Sequence, residues 1–221
     1  MSGSHPTPSD IAFSDAVKSV QSAKGSRPML ERMEQNRPWA DRLTPDIVAF
    51  IGARDSAFLG TASRDGQPYI QHRGGPPGFL RVLDDRTIGF ADLAGNRQYI
   101  TIGNLSENPA AFLFLIDYAL RQRVKLWGTA RVVEDDPALL DRLRPEGRTG
   151  RSERAILFEI KTWDVNCPQH IPTLVSIASV ADALAERDAR IAKLEARLAA
   201  IRNECLPIRD GEPSLPSDEN R

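Results

Sequence analysis

The chain has 221 residues, of which 41% are hydrophobic and 27% charged, a composition typical of one globular domain with attachments or of two small domains. The formal net charge of −1 gives no basic field for nucleic acid or anionic membrane, and no apolar run is long enough to span a bilayer. The N-terminus lacks a secretory pattern, and Cys167 and Cys205 lack metal-pair spacing, so we expect a cytoplasmic protein without a disulfide framework or zinc site.

Residues 1–43 are predicted to be a helical extension. We expect residues 1–10 to be disordered, because they are polar and contain prolines. Apolar residues that recur on one face predict a helix over residues 11–23. Thr44 followed by proline is a typical helix start and predicts a further helix over residues 46–53.

From residue 57 the pattern changes to short strands joined mostly by hairpin-like turns. The predicted strands are residues 57–63, 68–73, 79–83, 87–92, 110–117, 123–134 and 155–165, with helical turns over 99–105 and 137–143. Gly128 predicts a bend or bulge inside the longest of these strands. Strands at this spacing indicate a mainly β protein with flanking helices, built on an antiparallel β-barrel over residues 44–172.

Residues 173–205 are predicted to form an amphipathic, coiled-coil-like helix. Apolar residues recur there every seven positions, with a companion series three residues later in which one arginine is the exception. These positions are Ile177, Val180, Leu184, Arg187, Ile191, Leu194, Leu198 and Ile201. A stripe this narrow favours a partner helix from a second copy, and the alternative is a helix packed on its own barrel. Residues 206–221, rich in Pro, Asp and Ser, are predicted to be a disordered tail.

The stretch GQPYIQHRGGPPG, residues 66–78, holds the least ordinary residues of the chain. An Asp-Gly turn leads into a strand that ends in His72, Arg73 and two glycines. Backbone at Gly74 can approach a bound anion closely, next to the charge of Arg73. The alternative is an ordinary strand-to-loop transition with an exposed basic residue.

Three segments in this order resemble the pyridoxamine 5'-phosphate oxidase-like, FMN-binding split-barrel proteins: LGTASRDGQPYIQHRGG, TIGFADLAGNRQYITIGNLSENPAAFLFLID and RVKLWGTARVV. In such proteins a DGxP turn precedes the strand that holds flavin, and a strand, loop and helix with an NP dipeptide bind the phosphate. The resemblance runs from Phe58 to Val133. It implies a six-stranded antiparallel split β-barrel, bound FMN, and a homodimer with each flavin at the subunit interface.

The chain departs from the oxidase proper at charged positions. Gln71 and Pro76 stand near the places of an arginine and a lysine of the oxidase. The Ser-Arg-Lys phosphate motif of the oxidase corresponds to residues 96–98, which keep only Arg97. Residues that hold pyridoxal phosphate are not recognisable. The resemblance is therefore to a divergent bacterial flavin-nucleotide-binding subfamily of unassigned activity.

The resemblance and the chemistry of the side chains together predict the cofactor-binding residues. They are Gln71, His72, Arg73, Gly74, Asn96, Arg97, Gln98, Thr101 and Arg123. Arg97 offers phosphate a forked, charge-assisted contact at a helix start, and Arg123 offers positive charge at the pyrimidine end of the flavin. Arg123 shares a strand face with Lys125 and Trp127. The alternative for Arg97 is a solvated arginine in a loop, and the alternative for Arg123 and Lys125 is a pair of exposed basic residues on an edge strand. The alternative for His72 is a strand residue that is hydrogen-bonded to its neighbour.

Two functions follow from the resemblance. The first is an FMN-dependent oxidoreductase that transfers hydride to or from an unknown small substrate, with a nicotinamide cofactor as candidate reductant. The second is a flavin carrier or redox sensor without turnover, and a third, weaker variant binds haem or a deazaflavin instead. Cys167 lies near His170, but Pro168 and the lack of an oxyanion arrangement argue against a nucleophile. No catalytic residue is assigned.

Overall fold

A computed structural model describes residues 7–93, 95–145, 152–165 and 169–204 of the protein. The chain divides into two compact units, Met1–Thr173 and Leu174–Arg221. Both cysteines and the predicted disordered tail lie outside the described residues.

The N-terminal segment is ordered from a short 3₁₀ helix, Pro8–Ile11, onward. The prediction of disorder was therefore wrong for residues 8–10. Polar contacts explain the difference: Ser9 donates a hydrogen bond to Glu34 (2.8 Å), and Lys18 Nζ lies 2.5 Å from Asp10 Oδ1. These contacts tie the segment to the two helices that follow.

Six α-helices are present in the described parts of the chain. They are α1 Asp15–Ala23, α2 Arg27–Asn36, α3 Pro45–Gly52, α4 Ile100–Glu107, α5 Pro137–Leu143 and α6 Ile177–Glu204. Proline at the first position opens α3 and α5, where its missing amide costs no hydrogen bond. Asp136 caps α5 by accepting from the Leu139 amide at 2.9 Å.

In the described ranges, seven antiparallel strands form one sheet in the order β2-β1-β5-β6-β7-β4-β3. They are β1 Ser56–Ala62, β2 Pro68–Gly74, β3 Arg81–Val82, β4 Thr87–Leu93, β5 Ala110–Asp117, β6 Gln122–Val133 and β7 Ser152–Val165. The predicted class, a mainly β split barrel with flanking helices, is confirmed. The family resemblance implied six strands and the chain pattern predicted seven. The described residues form seven, because the two-residue β3 pairs with β4 at the end of the sheet.

The core lies on one face of the sheet. Alternate residues of β1 and β5 point to it, so Leu59 and Leu113, which are paired across the two strands, are both fully buried. Leu126 of β6 and Phe158 of β7 complete the centre, and α3 adds Ile51. The opposite face carries an aromatic row in which Trp39 of the N-terminal segment stacks on Trp127 at 5.1 Å.

A β-bulge bends the sheet where β6 meets β7. Trp127 pairs with Thr162 and Gly128 pairs with Ile160, so Lys161 is the extra residue. The bulge predicted at Gly128 is confirmed, although the inserted residue lies on the neighbouring strand. On the other side of β7, the amide of Ile160 donates to the carbonyl of Arg86 at 2.8 Å, next to the Thr87–Glu159 pair of β4 and β7.

Asp117, at the end of β5, links pH to stability. Burial alone would raise the pKa of its carboxyl, but hydrogen bonds from the Leu120 amide and from Arg54, 2.5 Å away, outweigh burial and hold this pKa below its usual value. Because the folded-state pKa is depressed, the stabilisation is present above the unfolded-state pKa and is lost as pH falls through the folded one. We expect Asp117→Asn to lower the free energy of unfolding by about 1.5–3 kcal/mol at neutral pH. Urea denaturation at several pH values should show this difference shrinking toward zero below pH ~4. A pH-independent difference would contradict this account.

The second unit consists, where it is described, of an extended segment and α6. Every described side chain of this 28-residue helix is exposed. None of the helices in the described ranges is both long and apolar enough to cross a membrane.

Candidate functional site

A pocket of about 300 Å³ opens where β2, the end of β4 and the start of α4 meet. Its lining comes from three elements and the loop that connects β4 to α4. The lining residues are Tyr69, Gln71, Arg73, Asp92, Leu93, Gly95, Asn96, Arg97, Gln98, Tyr99, Ile100, Thr101, Ile102 and Glu153. This volume is at the lower end of the range for small-molecule sites.

The fold brings most of the predicted cofactor residues together in this pocket. The residues that line it are Gln71, Arg73, Asn96, Arg97, Gln98 and Thr101. Residues far apart in sequence thus meet where β2, the end of β4 and the start of α4 come together. His72, Gly74 and Arg123 are not part of its lining.

His72 points to the opposite face of β2, because side chains alternate along a strand. Its Nε2 is hydrogen-bonded to the Ser56 hydroxyl at 2.8 Å, and its ring meets the Phe58 ring edge-on at 5.5 Å. A Cβ added at Gly74 would lie 2.9 Å from the His72 ring. The absence of a side chain at Gly74 therefore makes room for the His72 ring. The sequence had instead predicted that Gly74 lets the backbone approach a ligand.

Arg123 also lies on the face of the sheet opposite to the core. It shares that face with Lys125 and Trp127, as predicted. Lys125 Nζ lies 5.2 Å from the centre of the Trp127 ring and 2.8 Å from Asp164. Within one chain, Arg123 and the pocket are thus on different sides of the sheet.

An ion network forms the wall of the pocket between β2, β4 and β7. Arg73 Nη1 lies 2.5 Å from Asp92 Oδ1, and Arg154 Nε lies 3.9 Å from Asp92 Oδ2. The three side chains are only 11–13% exposed. Arg154 also contacts Glu153 at 2.7 Å and stacks on the ring of Tyr99, with its guanidinium carbon 5.1 Å from the ring centre.

Asp92 has two arginine partners in this network, Arg73 and Arg154. Sequence reasoning missed Arg154 and Glu153 altogether. Asp92 and Arg154 are directly paired across β4 and β7, which are separated by about sixty residues of chain. Only the strand register shows this pairing, so a local motif gives no signal for it.

The loop from Gly95 to Tyr99 has unusual backbone geometry. Arg97 and Tyr99 are non-glycine residues in the left-handed region, with φ of 59° and 53°. The amide of Gln98 donates to Asn96 Oδ1 at 3.3 Å, so Asn96 stabilises the turn. The Arg97 side chain is exposed and makes no ion pair or hydrogen bond with the described residues. No side chain caps α4 either, which leaves its first amides available to an acceptor.

Gln71 is held in place by a neighbour from α4. Thr101, 2% exposed, donates its hydroxyl proton to Gln71 Oε1 at 2.7 Å. Because the amide oxygen accepts from Thr101, the amide nitrogen is the donor that Gln71, a lining residue of the pocket, can offer to a ligand. Asn104 fastens the same helix to β1 by donating to Thr61 at 3.0 Å.

These residues fit a ligand that carries an anionic group, hydrogen-bond acceptors and an apolar surface. Arg97 and the first amides of α4 provide positive charge and donors at one end. Arg73 adds a guanidinium group to the pocket wall, where it is paired with Asp92. Tyr69 and Ile102 offer apolar surface. The described residues contain no group of three or more His, Cys, Asp or Glu arranged to hold a metal ion.

The sequence profile of the pyridoxamine 5'-phosphate oxidase family matches residues 43–167, more than half of the chain. The chain belongs to this family. Family membership supports a flavin-binding, oxidoreductase-like function without specifying a substrate. The match spans the whole sheet and every lining residue of the pocket. A comparison with curated proteins found no match.

Several solved structures are similar to the chain. HupZ of Group A Streptococcus is 17% identical, with a TM-score of 0.46 over 60% of this chain and 99% of its own. A putative pyridoxamine 5'-phosphate oxidase from Lactobacillus delbrueckii is 20% identical, with a TM-score of 0.45 over 57% and 95%. An FMN-binding protein from Syntrophomonas wolfei is 15% identical, with a TM-score of 0.42 over 67% and 97%. These likenesses are distant, and the family assignment rests on the sequence profile.

Proposed function

We propose that the protein binds FMN in the pocket between β2, β4 and α4 and acts as an oxidoreductase on a small molecule. The observation that carries the proposal is the convergence of Arg97, the uncapped start of α4 and the donors of β2 on one pocket within the family-matched region. In this arrangement the phosphate lies at Arg97 and the α4 amides. The polar chain of the cofactor lies along Gln71.

Bound FMN would supply the capacity to accept and donate hydride, so the protein needs to supply position and electrostatics. Gln71 presents a donor whose orientation is fixed by Thr101. Arg73, which lines the pocket wall, is held in place by its ion pair with Asp92. A preorganised donor costs no reorganisation when a ligand binds, which favours a defined ligand orientation.

The proposal includes a homodimer, as the family resemblance implies. Two features support it: the pocket is small, and Arg123 lies on the outer sheet face with His72. In a dimer, the outer face of one copy can complete the pocket of the other. His72 and Arg123 of one copy would then contact a flavin that is bound mainly by the partner subunit.

Titration of the purified protein with FMN tests this function. We expect a yellow complex of one FMN per chain that is bleached by a nicotinamide cofactor in the absence of oxygen. A yellow complex that is inert toward every reductant would instead favour a carrier or sensor. Failure to bind FMN, with uptake of haem or a deazaflavin, would overturn the proposal.

Removal of the phosphate-binding arginine should weaken the complex. We expect Arg97→Ala to reduce FMN affinity by about 1.5–3 kcal/mol, the range for a hydrogen bond to a charged group. Riboflavin, which lacks the phosphate, should bind the variant and the wild type equally. Isothermal titration with both ligands measures the two effects.

The matched control for this substitution is Arg131→Ala. Arg131 is an exposed arginine of β6 that is absent from the pocket lining. The control should leave FMN affinity unchanged. Equal losses for FMN and riboflavin in Arg97→Ala would show that Arg97 holds the loop rather than the phosphate.

A further inference from the structure

The exposed apolar stripe of α6 is a feature that the proposed flavin site does not use. All eight stripe positions from Ile177 to Ile201 are exposed, including Ile177 at 89% and Leu198 at 65%. At 1.5 Å per residue the helix is about 42 Å long, which corresponds to about four heptads. Isolated apolar residues on a surface are ordinary, but a continuous stripe indicates a binding surface.

The charged residues beside the stripe identify its partner and orientation. With Ile177 at heptad position a, Arg190 and Arg197 occupy g, whereas Asp188, Glu195 and Arg202 occupy e. Two parallel, in-register copies would place Arg190 against Glu195 of the partner subunit, once on each side. The cost is one like-charge contact on each side, between Arg197 and the partner subunit's Arg202.

The arginine of the stripe adds a further cost, because a parallel in-register pair brings Arg187 beside the partner subunit's Arg187 in one core layer, and a neighbouring carboxylate offsets part of it. Arg187 occupies a d position, and a d side chain in a parallel pair inserts into a hole bordered by the partner's e residue. That residue is Asp188, so each Arg187 gains a carboxylate from the partner subunit. A single polar core residue of this kind fixes register at a cost in stability.

An antiparallel pair with full overlap would be unfavourable. It would bring Arg190 against Arg190 of the partner subunit, and Asp188 against the partner's Asp188. Like charges at such positions destabilise a coiled coil. No opposite-charge contact at these flanking positions compensates for them.

From this pattern we infer that α6 forms a parallel, in-register, two-stranded coiled coil with α6 of a second copy of the chain. The paired helices raise the effective concentration of the two N-terminal units for each other. The inference rests on α6 alone, so it stands or falls independently of FMN binding.

Cysteine cross-linking of the full-length protein tests the orientation. In a Cys167→Ser/Cys205→Ser background, Leu198→Cys at position a should form a disulfide-linked dimer under mild oxidation, because a parallel in-register pair brings this position next to itself. Ala196→Cys, at position f on the outer face, is the matched control and should cross-link many times more slowly. Equal cross-linking rates for the two variants would overturn the inference. A solution mass that corresponds mainly to a trimer would also overturn it.

A charge exchange tests the register. Arg190→Glu should lower the cross-linking rate of the Leu198→Cys protein severalfold, and adding Glu195→Arg should restore it. Residues 190 and 195 are five apart and do not face each other on one helix, so rescue reports contact between chains. Absence of rescue in the doubly exchanged protein would overturn the proposed register.

Discussion

Gly128→Ala is expected to destabilise the protein by about 3 kcal/mol or more, because a Cβ at this position has no free space. The added atom would come closer to the Glu159 carbonyl oxygen than real Cβ atoms approach, and would lie 3.0 Å from the Phe158 ring. Both neighbours are fixed. The first is backbone of β7 at the bulge, and the second is a fully buried core side chain. Relief would require the two longest strands to separate.

Gly60→Ala is the matched control for this substitution. Gly60 lies within β1, and a Cβ there would meet Phe112 at an ordinary 3.5 Å. We expect the control to change stability by less than about 1 kcal/mol. Chemical denaturation of both variants measures the contrast. A Gly128→Ala protein as stable as the control would mean that the bulge can shift and that close packing does not require this glycine.

The fold could be predicted from the sequence wherever local patterns determine it. Three local features predicted structure correctly: the alternation on β1 and β5, the proline at the start of α3, and the isolated Gly128. Strand faces, helix starts and bulges can be predicted in this way because they depend on neighbouring residues. The strand predicted over residues 79–83 is confirmed in its position, but in the structure it shortens to the two-residue β3. Its identity as a strand comes from pairing with β4, which is a tertiary contact.

The lining of the pocket was predictable only in part for the same reason. The loop at Arg97 was found from its composition and from the family resemblance, and strand alternation separates Gln71 and Arg73 from His72. The partners of Asp92 depend on the β4–β7 register, which the sequence does not contain locally. Strand alternation predicts the face of the sheet on which Arg123 lies. Whether Arg123 contacts a flavin depends on the position of a second subunit.

Asp92→Asn is expected to lower the free energy of unfolding by about 3 kcal/mol, the cost of leaving a buried charge without its partner. Asp92 is the carboxylate nearest to Arg73 and also lies beside Arg154, and all three side chains are at most 13% exposed. Arg154 retains Glu153, but Arg73 keeps no carboxylate partner among the described residues. Its desolvated guanidinium is then unpaired. Replacement of both Asp92 and Arg73 by neutral groups should therefore cost less than the two single losses combined.

The surface pair Arg42–Asp85 is the control for this prediction, since its side chains are 60% and 49% exposed. Asp85→Asn should change stability by less than about 1 kcal/mol, because water screens an exposed pair. FMN affinity provides an independent readout of Asp92→Asn. Loss of the carboxylate removes a negative charge from the pocket wall and leaves Arg73 available to an anion, so FMN should bind the folded variant at least as tightly as the wild type. Lower stability with undiminished affinity identifies Asp92 as a residue that holds the pocket wall in place. A variant that keeps full stability but loses FMN would contradict this role and would make Asp92 a direct ligand of the cofactor.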